Sequence, residues 1–200
     1  AFGIAIAAMS SGAVVAVTEE GVFRTTDGGA TWSARTQIND DATTTDNWQP
    51  TIAITPDGAN LGIFYSSREG DAANNNLFTY NGRIGAISGS TVTFTPSFVI
   101  SDVQSLPEFG RDVVINSTYM GDYNHAAATA TDFHVVWSDN RDNLAGGGDR
   151  KDPNIYYKSI PVGLLAGPNI SVSPSNVGFG SVAVGETGGP LQVTITNIGD

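Results

Sequence analysis

Thr25-Thr26-Asp27-Gly28-Gly29-Ala30-Thr31-Trp32 decides the fold class. It is a turn with an acidic start, two glycines and an aromatic end, set between runs that read as strands. Gly21-Val22-Phe23-Arg24 leads into it. Asp27 can accept hydrogen bonds from backbone N–H groups of its own turn, and Gly28 and Gly29 tolerate the positive φ that such a turn needs. Thr31 and Trp32 begin the returning strand, with the indole free to cover the hairpin.

Outward from this turn the chain repeats one pattern, a small-residue strand followed by a bulkier one. Ile4–Ala7 is followed by Ala13–Val17, Ile52–Thr55 by Leu61–Ser66, and Ala126–Thr129 by Phe133–Ser138. Small side chains suit strands that crowd toward a central axis, while bulk on the second strand packs between neighbouring sheets. Plentiful turn residues, among them 24 glycines, and no sustained period of 3.6 point to an all-β protein.

The turn matches Ser/Thr-x-Asp-x-Gly-x-Thr-Trp, the Asp-box, at Thr25, Asp27, Gly29, Thr31 and Trp32. The stretch therefore resembles sialidase-like BNR-repeat proteins. That resemblance implies an Asp-box between the third and fourth strands of a β-propeller blade, on the side away from any catalytic centre. Three four-stranded antiparallel blades are expected, at 1–39, 40–100 and 101–162. In the second blade the expected strands are 50–55, 61–67, 76–81 and 91–100, joined at 82–90 by a connection without an Asp-box. Three blades are half of a six-bladed ring, so missing blades or another copy of the chain would be needed to cover the open edges.

After a Gly/Pro-marked linker at 163–168, residues 169–200 resemble the opening of immunoglobulin-like ASH or choice-of-anchor modules. The shared features are Pro174 followed by Phe179-Gly180, Val182 and Val184-Gly185, and the strand Val193, Ile195, Asn197, Gly199. Such a module is a two-sheet sandwich of about 100 residues, so only its first strands are expected here.

A net charge of −11, from 20 acidic and 9 basic residues, disfavours nucleic acid and anionic membrane as partners. No disulfide framework exists, because the chain has no cysteine. Ala1–Met9 is apolar but lacks a basic flank and is too short to span a bilayer, so it reads as a strand. The missing initiator Met points to a processed or truncated start, and the composition to a secreted or cell-surface, bacterial-type protein.

True sialidases are expected to carry three arginines gripping a carboxylate, a Tyr nucleophile with a Glu partner, and an Asp acid/base. Here Arg68 and Arg141 each follow a second strand and read as repeated structural positions, and no catalytic set is assigned. The richest polar stretches are Met120–His125, Asp139–Asp142 and Asp149–Asp152. Sialidase-like proteins often carry a similar Gly-Asp-Tyr with Trp-Ser-Asp-x-Arg one strand later.

Asp122, Tyr123, Asp139 and Arg141 are accordingly candidates for ligand binding. Asp122, Tyr123 and His125 are the weaker candidates for catalysis, and Asp139, Asp142, Asp149 and Asp152 for a hard cation such as Ca2+. In the alternative reading Asp139 and Arg141 simply tie down a loop and Asp122 caps a turn. His134, alternating with Val135, reads as solvent-facing or packed between blades. Asn116-Ser117-Thr118 matches a glycosylation sequon. No cofactor is required. Glycans or other surface proteins are the expected partners of a non-catalytic module, set against a sialidase-type exo-glycosidase and a self-assembling subunit.

Overall fold

The computed structural model describes residues 5–8, 14–18, 21–88, 91–107, 124–143, 145, 151–163, 170–173 and 192–197. These residues are all-β and antiparallel. They include a short 3-10 turn at Glu69–Asp71, and no helix among them is long and apolar enough to cross a membrane. The chain divides into two compact units, Ala1–Val162 and Gly163–Asp200.

The first sheet is a meander of β1 (Ala5–Ala8), β2 (Val14–Thr18) and β3 (Gly21–Thr25). The segment after the Gly28-Gly29 turn returns along β3. It makes a single bridge, in which Val22 and Thr36 exchange N–H···O bonds of 2.8 and 3.0 Å, where a full returning strand from Thr31 and Trp32 was expected. Nearer the turn, Ser33 donates its N–H to Arg24 O at 2.8 Å and its Oγ accepts the Arg24 N–H, while Asp27 holds Thr31, so the segment follows β3 without a continuous ladder.

The middle sheet contains β4 (Asn47–Ile54), β5 (Asn60–Ser67), β6 (Thr79–Ser88), β7 (Thr91–Phe94) and β8 (Phe98–Val99). Its order is β4-β5-β6-β7, with β8 also pairing with β6. The expected connection at 82–90 is wrong over residues 82–88, which continue β6. Gly82 and Gly85 resemble turn formers, yet they are ladder positions across which aromatic rings lie. A Cβ on Gly82 would stand 2.7 Å from Phe64 Cδ1, and one on Gly85 2.8 Å from Phe94 Cε1. The ten-residue β6 is long enough for two short strands to share its edge, which splits the expected strand at 91–100.

The third sheet has the order β11-β10-β9, from β9 (His125–Ala128), β10 (Asp132–Asn143) and β11 (Lys151–Pro161). β10 runs five residues past Ser138, where the sequence pattern ends it. A bulge between Asp139 and Asp142 bends the strand without stopping it. Pro153 is tolerated because β11 is the last strand of its sheet among the described residues.

β4 lies beside β1 and also beside β9, so the first strands of the three sheets are neighbours. Alternation along β5 feeds two cores. Leu61, Ile63 and Tyr65 join Val15, Val17, Val22, Ile38 and Ile52. Phe64 points the other way and meets Phe133 edge-on at 5.7 Å, while Tyr80 stacks on Trp137 at 5.2 Å. Burial of each of these large side chains contributes about 1.5–3 kcal/mol. In the second unit β12 (Ile170–Ser173) pairs antiparallel with β13 (Thr194–Asn197). The Phe179-Gly180 phrase lies outside the described residues.

Candidate functional site

The Asp-box residues form one hydrogen-bonded turn. Thr25 Oγ1 donates to Asp27 Oδ1 at 2.7 Å and accepts from Gly29 N at 2.9 Å. Thr31 donates its N–H to Asp27 Oδ1 at 2.9 Å and its hydroxyl to Oδ2 at 2.5 Å. These bonds, the Thr31 hydroxyl first, hold the Asp27 carboxyl far below the ordinary carboxylate range. Gly28 and Gly29 carry φ of +70° and +95°, as the turn requires. A Cβ on Gly29 would meet Trp32 Cζ2 at 3.9 Å, so the indole lies against the turn it follows, 45% exposed. The Thr25, Asp27 and Thr31 side chains bond to one another and to the turn's own backbone.

The β10 bulge is different. Asp139 is only 2% exposed, and its carboxylate accepts from Trp137 Nε1 at 3.0 Å, Arg141 Nε at 2.9 Å and Arg141 Nη2 at 2.7 Å. Arg141 also donates through Nη1 to Asp102, and its guanidinium carbon lies 3.9 Å from the centre of the Tyr156 ring. The Asp139 hydrogen bonds are the largest cause raising the affinity of that guanidinium for its proton. Asp142, past the bulge, accepts from the Tyr156 hydroxyl and from Asn154 Nδ2 at 3.1 Å. Burial, and then the Asp142 hydrogen bond, push the Tyr156 phenol up to about 12.

A cleft of about 360 Å³ opens beside this network, with Gln104, Ser105, Asn140, Arg141, Asp142 and Lys151 among its lining residues. Its volume lies in the range of small-molecule sites, and its wall combines cations, amides and a carboxylate, which suits a hydroxyl-rich ligand.

Of the sequence candidates, Asp139, Arg141 and Asp142 thus come together. Asp152 is the Cα partner of Asp142 across β10 and β11. His125 is exposed at the start of β9, and His134 Nδ1 pairs with the Tyr157 hydroxyl at 2.7 Å. Asp122, Tyr123, Asp149 and the sequon lie outside the described residues. Among those residues no three of His, Cys, Asp and Glu converge as a metal cluster.

No motif pointed to a second polar cluster, on the face that the middle sheet turns toward the first. Tyr65 is 4% exposed, and its hydroxyl, Asn47 Oδ1 and Glu69 Oε2 are buried without a hydrogen-bond partner. Tyr65 sits in an apolar run that reads as plain core. No protein-family model matches the chain, and no curated protein matches it significantly.

Proposed function

We propose that the chain is part of a sialidase-like β-propeller of an exported, cell-surface or matrix protein. In this reading the propeller serves as scaffold and glycan-binding module without catalysis, and an ASH or choice-of-anchor module begins after the linker at 163–168. Two features support the propeller. The first strands of the three sheets lie side by side, as inner strands around an axis would, and the Asp-box turn follows β3.

One observation carries the non-catalytic reading. Arg141 spends its guanidinium on Asp139 and Asp102, which leaves it unfit to grip a substrate carboxylate, while the neighbouring cleft keeps a polar wall. The test pairs a glycan-binding screen with hydrolysis assays on sialosides and other glycosides. Saturable binding that weakens in Gln104→Ala and Lys151→Ala, without turnover, is the expected result. Turnover that disappears in Asp122→Ala overturns the proposal in favour of a sialidase-type glycosidase.

A second reading, self-assembly, is favoured by β11. It ends its sheet among the described residues and carries Ile155 at 81% and Tyr157 at 60% exposure on the face away from the Phe64–Phe133 packing. Size-exclusion chromatography with light scattering decides it, since a monomer at micromolar concentration removes this reading.

A further inference from the structure

The cleft beside the β10 bulge has a neighbour. A second opening of about 350 Å³ is lined by Glu69 and Gly70 of the 3-10 turn, Thr79 of β6, Val99 of β8, and Ser101 and Asp102. Val103 and Gln104 line both openings. They belong to a strap that is tied down at each end. Ser101 Oγ accepts the Tyr80 N–H at 3.0 Å, while Ser105 and Phe78 exchange N–H···O bonds of 2.8 Å and Asn140 Nδ2 donates to Leu106 O at 3.0 Å. Between those ties Asp102, Val103 and Gln104 are exposed, so they form a fixed ridge with one cleft on the side of β10 and the other on the side of the 3-10 turn.

The charges along the two clefts lean one way. Arg141 is matched by Asp139 and Asp102, and Lys151 shares the first wall with Asp142. The second cleft adds Glu69 and, among its described lining residues, no cation. Even with Lys158, which bonds to Ile100 O and acts on Asp102, three cations are set against Asp102, Asp139, Asp142 and Glu69. A ligand carboxylate or sulfate entering either cleft therefore meets an excess of like charge, on a chain whose net charge is already −11. The remaining lining residues are hydroxyl, amide and aliphatic, with Leu77, Leu106 and Val99 offering C–H surface to the faces of sugar rings. Each cleft alone is at the lower end of the range for a small-molecule site, and the exposed ridge between them suits a longer chain better than one compact molecule.

We propose that the glycan of the first cleft is an uncharged oligosaccharide, which crosses Val103 and Gln104 and seats further units in the second cleft. This second subsite rests on the glycan-binding reading of the first. Once the first cleft is filled, entry of the next units is intramolecular, so affinity grows with chain length until both clefts are occupied. A single compact ligand gains nothing from the second cleft, and an acidic glycan loses affinity at low salt, where the like charges are least screened.

The experiment screens the 200-residue chain against arrayed neutral and acidic glycans. Calorimetry then compares the best neutral tetrasaccharide with its disaccharide and with its counterpart bearing a terminal uronate or sialate. The tetrasaccharide is expected to bind about tenfold or more tighter than the disaccharide. The acidic counterpart should bind about tenfold more weakly than the neutral one at low salt, with the gap narrowing at about 1 M salt. Val99 is 53% exposed and lines only the second of the two clefts. Val99→Trp should therefore remove the advantage of the tetrasaccharide and leave the disaccharide unchanged, while Lys151→Ala weakens both. Equal affinity for the two lengths overturns the proposal, as do an unaltered tetrasaccharide affinity in Val99→Trp and a preference for acidic glycans. Should Val99→Trp fail to fold, Gly70→Leu fills the same cleft from the 3-10 turn and is read in the same way. Binding of no glycan, neutral or acidic, removes the reading of the first cleft together with the second.

Discussion

Asp139 and Arg141, two residues apart on β10, are joined through both carboxylate oxygens, with Arg141 Nε 2.9 Å from Oδ1 and Nη2 2.7 Å from Oδ2. In a regular strand such neighbours point side by side from one face without needing each other. Here Asp139 faces inward by ordinary alternation with Phe133, Val135 and Trp137, the bulge follows it, and Arg141 bonds back to its carboxylate, so that each charge makes burial of the other tolerable.

Breaking that pair should be costly. Asp139→Ala is expected to destabilise the chain by about 3–5 kcal/mol, because it leaves a largely covered guanidinium without its main partner. Arg141→Lys keeps the charge but loses the planar fork, and should fall between wild type and Asp139→Ala. Urea denaturation followed by Trp fluorescence measures both. A loss smaller than about 1 kcal/mol for Asp139→Ala would place the pair among weak surface bridges.

The Asp-box calls for a local readout. Asp27 is open to solvent, so Asp27→Ala should leave the denaturation midpoint nearly unchanged while speeding amide exchange at Thr31, whose N–H it accepts. Gly29, bonded to Thr25 Oγ1, should be less affected. Equal acceleration at both amides would mean that the whole turn depends on the carboxylate.

Stability should fall in acid. Hydrogen bonds hold Asp57, Asp71 and Asp142 below the ordinary carboxylate value of 3.8, and the Arg141 hydrogen bond does the same for Asp102. Their contribution is present above that value and is lost as pH falls through the depressed folded values. Glu69 runs the other way. Burial beside Asp41 and Asp40 raises it from 4.5, so its contribution is present below 4.5 and lost as pH rises through the raised value. Glu69→Gln should therefore gain midpoint temperature relative to wild type on the neutral side only. Thermal melts across that range check it, and a constant difference at every pH would contradict the burial of Glu69.

Strand pairs and the turn chemistry were legible because alternation and Asp-Gly-Gly are local signals. Ile52-Ala53-Ile54 and Phe133-His134-Val135 announce themselves as strands, and Asp27 sits where its own turn supplies its partners. The continuation of β10 through Asp139-Asn140-Arg141 was not legible. A polar run after a strand reads as a loop, and only the Trp137 and Arg141 hydrogen bonds make an inward Asp139 carboxylate acceptable. The Tyr65 cluster was equally hidden, because its members come from separate segments that meet only through sheet register.

The glycines inside the middle sheet offer the sharpest test of its packing. Gly62 on β5 and Gly82 on β6 are Cα pairing positions for Ile84 and Phe64, and both lie under the Phe64 ring. A Cβ on Gly62 would stand 2.6 Å from Phe64 Cζ and 2.9 Å from Phe133 Cδ1, closer than carbon atoms approach. The two rings meet edge-on and are fully buried, so neither can swing into solvent to make room. Gly62→Ala should therefore cost about 1–3 kcal/mol by overpacking, against the small gain that alanine brings to an unstrained strand. Phe64→Leu alone should also destabilise, by removing ring volume from a filled core. Because the leucine vacates the space that the new methyl needs, the double variant should be more stable than the sum of the two losses by about 0.5–3 kcal/mol. Urea denaturation of the four proteins in this cycle measures the coupling, and strict additivity would show that Gly62 and the Phe64 ring are not in contact.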